Sequence, residues 1–260
     1  MRAPLLTCSL LLLAAASASA HGTHVRWNAC YGDGGTTSRS FACDTNSGSE
    51  QLACTFILSS PVAGVYQMDA FVRFSFAGTT LPAWWQFRTP GSCRTASLTA
   101  STLPPVGASS CIDWADGARD GLLTYATTAL GPNTTQLELL SPVAPVTAYD
   151  LVAGQEYLAL TAVINHQKTV GTGACGGCTL GGCMGFVAVK LIRTPPPAPN
   201  VAPPPDDVLI APDVLLDQVV TWQGGEGIAI PNYLGMSWTY CPGATPARNR
   251  TWGGVKAMYR

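Results

Sequence analysis

YQMDAFVRFSF, residues 66–76, decides the fold. Tyr66, Met68, Ala70, Val72, Phe74 and Phe76 share one side of an extended chain, and Gln67, Asp69, Arg73 and Ser75 share the other. Successive side chains of an extended backbone point to opposite sides, so this two-residue period marks a strand with one buried face. QLACTFIL, residues 51–58, repeats it, with Leu52, Cys54, Phe56 and Leu58 on one side. Further strand-like runs lie at 24–29, 83–88, 94–99, 121–126, 135–140, 156–166 and 184–193. Turn clusters such as Gly32-Asp33-Gly34-Gly35, Thr89-Pro90-Gly91 and Gly131-Pro132-Asn133 separate them. No stretch before residue 200 carries a long 3.6-residue apolar period. Many short strands between turns predict an all-β chain, an antiparallel β-sandwich of jelly-roll or immunoglobulin-like type.

The first twenty residues read as a secretory signal. Arg2 gives the positive start, Leu5–Ala16 the apolar stretch, and Ala18-Ser19-Ala20 the small-residue cleavage pattern. That stretch is too short to cross a bilayer, which takes about 20 residues, and no later run of 18 apolar residues follows. The expected localisation is therefore extracellular or periplasmic, with no membrane span after cleavage. Without Arg2 the chain carries 13 basic and 15 acidic residues. So balanced a charge gives no pull toward nucleic acid.

Residues 21–193 are expected to form the sandwich. TPPPAPNVAPPPDD, residues 194–207, is a proline-rich linker with a polyproline II bias. Residues 208–260 form a tail whose apolar pieces, 208–210, 219–222 and 228–234, are of strand length. Its last ten residues, TWGGVKAMYR, suit a short terminal helix capped by Thr251. The tail is expected to dock on the sandwich.

Nine cysteines follow the signal, so one must stay unpaired in a monomer. Cys30 and Cys43 flank one small-residue loop and Cys93 and Cys111 another; closing each is worth about 3 kcal/mol in the chain-entropy model. Cys54, on the apolar side of its strand, is the expected free thiol. CGGCTLGGC, residues 175–183, sits in a glycine turn between strands rather than at a helix start, which argues against a thioredoxin-like motif. An oxidising compartment favours pairing over zinc. Two of Cys175, Cys178 and Cys183 are expected to pair with each other, and the third with Cys241.

Two constellations invite chemistry. Cleavage after Ala20 would leave His21 at the amino terminus, where imidazole and amine together make a copper-ligand pair. His24 and His166 are the other histidines in the chain. Trp84 and Trp85, adjacent on an expected strand, should point to opposite faces, leaving one indole exposed for stacking on a sugar ring. Trp114, in CIDWADG, raises the same question. No G-x-S-x-G, H-E-x-x-H, phosphate loop or dinucleotide fingerprint is present.

RWNAC at 26–30, FACDTNSGS at 41–49, LPAWWQ at 81–86, TGACGGC at 172–178 and TWGGVKAMYR at 251–260 together resemble a group of secreted bacterial proteins. The resemblance covers most of the chain after the signal. It implies secretion and a shared fold, and no activity. The expectation is a non-catalytic surface, matrix or ligand-binding protein without a cofactor, with a glycan or another surface protein as partner. The alternative is a secreted copper enzyme built on His21, similar to the polysaccharide monooxygenases.

Overall fold

The computed structural model describes residues 21–76, 80–87, 91–114, 122–131, 134–142, 148–193, 208–210, 219–225, 228–231 and 237–240. Between 122 and 142, at 208–210 and beyond 228, only the backbone is described. Residues 1–20, the proline-rich 194–207, Cys241 and the terminal TWGGVKAMYR fall outside the described residues.

Strands dominate. In chain order they are β1 Gly22–Trp27, β2 Ser38–Arg39, β3 Ser49–Ile57, β4 Val62–Val65, β5 Gln67–Phe76 and β6 Leu98–Ser101. Then come β7 Leu122–Gly131, β8 Thr134–Pro142, β9 Tyr149–Leu151, β10 Glu156–Asn165 and β11 Gly182–Ile192. The last four are β12 Val208–Ile210, β13 Val219–Trp222, β14 Ile228–Pro231 and β15 Ser237–Tyr240. The alternation in residues 66–76 holds from Gln67 to Phe74, with Met68, Ala70, Val72 and Phe74 buried and Gln67, Asp69 and Arg73 half-buried, whereas Ser75, read on the polar side, is buried.

One sheet runs β1-β3-β10-β6 and a larger one β2-β13-β11-β5-β8-β7, with β12 also on β11. Pairings are antiparallel except β13 with β2. Side chains from both sheets enter one core: Val25, Cys54 and Leu160 from the first, Met68, Phe74, Phe186 and Val220 from the second. The sheets also bond directly, Thr23 Oγ1 donating to the Phe186 carbonyl (3.1 Å) and Trp27 Nε1 to the Thr221 carbonyl (3.0 Å). The segment beyond the linker is continuous with the larger sheet, since β12 and β13 both pair with β11. That junction needs glycine. A Cβ on Gly182 would lie 2.3 Å from Trp222 Cζ2, and one on Gly225 would lie 2.3 Å from the Gly182 carbonyl oxygen.

Two expected strands differ. Of the expected strand at 83–88, the described residues 83–87 contain a 3-10 turn, Ala83–Trp85, because Pro82 sets φ at −60° just before it. In 94–99 the strand begins only at Leu98; before it Ser97 N–H closes a turn on the Arg94 carbonyl. β2, β4, β9 and β15 have no counterpart among the expected strands.

Candidate functional site

β3 and β10 are long neighbours, and their ends define two loop clusters. At one end His166 N–H donates to the Gly48 carbonyl (3.1 Å), and the chain then turns into the 166–181 loop that carries Cys175 and Cys178. At the other end Glu156 meets the loops around Tyr31 and Ser110.

The 166–181 loop is where the indoles go. In a 3-10 turn neighbouring residues are about 120° apart rather than on opposite sides, so Trp84 and Trp85 both turn inward, with 0% and 1% exposure. Trp84 N–H donates to the Gly176 carbonyl (2.9 Å) and its Nε1 to Thr169 Oγ1 (3.0 Å). Trp85 stacks on Trp222 with ring centres 4.3 Å apart and meets Phe76 at 5.2 Å. Trp114 is buried too, edge-on to Tyr149 at 5.9 Å. The expectation of an exposed indole at 84, 85 or 114 is therefore corrected. All three serve the core.

The cysteine pairing is also corrected. Cys30 bonds Cys111, Cys43 bonds Cys178, and Cys93 bonds Cys175. Neither Cys30–Cys43 nor Cys93–Cys111 forms, and neither Cys175 nor Cys178 pairs within the trio. Chain neighbours that flank a loop are pulled apart because the strands between them carry each to a different end of the molecule. Cys43 and Cys93 converge on the 175–178 turn, whereas Cys30 and Cys111 meet beside Glu156. Asn46 fastens the same turn region, its Oδ1 accepting from Thr169 N–H (2.8 Å) and Val170 N–H (3.0 Å). Cys183, buried at the start of β11, is disulfide-bonded as well. Cys54 is free and buried, and burial pushes its thiol pKa up.

The three histidines do not meet. His24 in β1 is opposite Thr55 of β3, while His166 is bonded at Gly48. Seven residues of extended β3 separate those positions, about 23 Å at the usual rise per residue. His21 precedes β1 and lies farther still from His166. His24 and His166 therefore sit toward opposite ends of β3. His24 instead stacks on Tyr31, ring centres 4.1 Å apart. Among the described residues no group of three His, Cys, Asp or Glu is placed to hold a metal ion.

What the structure does gather around Trp84 is a buried polar cluster that sequence reading missed. His166, 3% exposed, has Nε2 3.4 Å from Glu50 Oε1, within ion-pair reach but not aligned as a hydrogen bond. Glu50 Oε2 accepts from Arg39 Nε at 2.8 Å. Arg94, 1% exposed, lays its guanidinium 3.5 Å from the centre of the Trp84 ring and 5.4 Å from that of Phe87. Its Nη2 donates to the Asn165 carbonyl, while Nε and Nη1 have no protein acceptor. Burial lowers the Arg94 pKa to about 9. Arg94 follows a cysteine in a Ser- and Thr-rich stretch and reads in sequence as an ordinary solvated charge. Only the turn that closes over it reveals otherwise.

The far cluster is a brace. Glu156 accepts from Tyr31 N–H (2.8 Å), Gly32 N–H (2.9 Å) and Ser110 Oγ (2.7 Å). Asp33 accepts from Ser109 Oγ (2.6 Å), Ser109 N–H (3.0 Å) and Ser110 N–H (3.1 Å). The Ser109 hydroxyl is the main reason that the Asp33 carboxyl is held below the ordinary carboxylate range. Together with Cys30–Cys111, these bonds fix the 102–112 loop along the edge of β10, where Leu158 N–H donates to the Ile112 carbonyl (2.9 Å). That loop turns Leu103, Val106 and Ile112 to solvent at 59%, 96% and 43% exposure.

Comparison with protein-family models, curated proteins and solved structures finds no match. The chain's own geometry carries the functional reading.

Proposed function

We propose that this chain is an exported, disulfide-braced β-sandwich that acts as a non-catalytic binding protein at a surface or in a matrix. Another protein would be its partner, engaged by the 102–112 loop. Two sheets sharing one core support the sandwich, and the disulfides fit an oxidising compartment. The signal-like first twenty residues and the resemblance to secreted bacterial proteins point the same way.

The observation that carries the binding role is the loop itself. Loops held by a rigid scaffold are the usual seat of recognition. This one is fixed by a disulfide and two carboxylates, yet displays three apolar side chains. Solvent-facing apolar groups on an immobilised backbone bind with little ordering entropy still to be lost. With Trp84, Trp85 and Trp114 in the core, protein contact is favoured over sugar stacking.

The test expresses the full chain in an exporting host and measures the fraction retained at the cell surface. The unaltered chain should be retained. A variant with Leu103→Ser, Val106→Ser and Ile112→Ser should be released, with its melting temperature preserved. Equal retention of both chains would refute the loop's role. Recovery of the protein inside the cell with free thiols would refute export.

A further inference from the structure

We propose that CGGC at 175–178 is a disulfide relay: a dithiol reductant that opens one of its two bridges releases both, because Cys175 and Cys178 then close on each other. The two cysteines are near neighbours in the chain, yet each is tied to a distant partner, Cys178 to Cys43 and Cys175 to Cys93. Both are 5% exposed, whereas Cys43 and Cys93 are half-buried. An incoming thiolate therefore meets the outer sulfur of a bridge and sets the inner one free. The chain turns at 176–179, with two glycines between the pair. A Cβ on Gly176 would meet open space, and Gly177 has a φ of 105°. So permissive a backbone can reshape until a C-x-x-C pair closes.

The reductant's thiolate attacks Cys93 Sγ, forming a mixed disulfide and expelling Cys175 as a thiolate. Cys175 attacks Cys178 Sγ, and the Cys43 sulfur leaves with the electron pair of the broken bond and takes up a proton. The reductant's second thiol, losing its proton, attacks its own sulfur in the mixed disulfide and releases Cys93, which is protonated in turn. One dithiol becomes a disulfide, and two bridges of the chain become one bridge and two thiols. Attack at Cys43 runs the same steps in mirror order to the same product. Exchange is faster when the departing thiolate is stabilised, and both outer cysteines have a donor in place. Gln223 Nε2 donates to Cys43 Sγ at 3.0 Å. Lys168 Nζ, on the Cys93 carbonyl at 2.8 Å, keeps a cation beside that cysteine. Gln223 and Lys168 are two of the three described non-glycine residues with positive φ, at 49° and 58°. Left-handed backbone is disfavoured for side chains of this size, so the fold bears strain at the two residues that attend the departing sulfurs. Cys30–Cys111, whose residues are 0% and 4% exposed, takes no part.

The test treats the full oxidised chain, in native buffer, with one equivalent of dithiothreitol. Free thiols are trapped with N-ethylmaleimide over time and the bridges mapped by mass spectrometry. Cys43 and Cys93 should take up label to equal extents, with Cys175 and Cys178 joined to each other and Cys30–Cys111 intact. Gln223→Met should make the label on Cys43 lag that on Cys93 roughly tenfold, the order that one hydrogen bond to a departing anion contributes. That ratio is read within one sample, so a general loosening of the loop does not mimic it. An unchanged ratio would remove Gln223 from the relay, and the map of the unaltered chain decides whether or not that variant folds. Paired labels on Cys43 and Cys178 with Cys93–Cys175 kept, or on Cys93 and Cys175 with Cys43–Cys178 kept, would overturn the proposal. So would label on all four with no bond between 175 and 178, or a chain that takes up label only when unfolded.

Discussion

Removing the Cys43–Cys178 bridge, by Cys43→Ala with Cys178→Ala, should destabilise the oxidised chain by about 4 kcal/mol on the chain-entropy relation. The two residues are 135 positions apart, and closing such a loop in an open chain would contribute about 5 kcal/mol. The unfolded chain is not open, because Cys93–Cys175 already ties it. With Cys30–Cys111 also in place, the shortest circuit runs from 43 back to 30, across to 111, back to 93, across to 175 and on to 178, roughly 35 residues, which gives the smaller figure. By the same reasoning Cys93→Ala with Cys175→Ala loses a similar amount. Losing both bridges should then exceed the sum of the separate losses, since each loop lengthens when the other bridge is gone. The assay is denaturant unfolding of each variant at constant slope, with near-ultraviolet circular dichroism to show that Trp84 and Trp85 stay packed. A loss below about 1 kcal/mol from either pair, with the fold intact, would mean that the bridge does not restrict the unfolded chain as argued.

Gly182→Ala puts a methyl 2.3 Å from Trp222 Cζ2 and 2.9 Å from the Ser75 carbonyl oxygen. The indole cannot yield easily, being stacked on Trp85, so equilibrium unfolding should show a loss of about 1–3 kcal/mol, the usual range for overpacking. Cys54, fully buried with its pKa raised by desolvation, should resist a thiol reagent at pH 8 in the native chain. Its labelling should appear only with denaturant, and rapid labelling of folded protein would contradict its place in the core. The depressed Asp33 carboxyl contributes stability that is fully present above the ordinary value of 3.8 and is lost as pH falls through its lowered folded value. Melting temperatures measured from pH 5 down to pH 2 should therefore fall less steeply for Asp33→Asn than for the unaltered chain, and parallel curves would refute this.

Local pattern was enough to find the longest strands. The alternation at 66–76 was expressed as β5 because burying one face of an extended chain depends on neighbours two residues away, which a sequence displays directly; 51–58 also became a strand, β3, but both its faces are buried. The solitary thiol at Cys54 followed from the same parity. The tryptophan pair was misread because Pro82 and a single 3-10 turn replaced the expected strand, and a change of local period reverses which way two adjacent side chains face. Disulfide partners, the burial of Arg94 and the separation of His24 from His166 belong to another class. Each depends on which distant segments the two sheets bring to the same end, and sequence spacing does not encode that. The amino-acid order by itself determined a strand-built chain rich in cysteine. Only the tertiary structure decided which sulfurs met and which charge was left in the core, because contacts across 81 to 135 positions are set by sheet order and register rather than by any local preference.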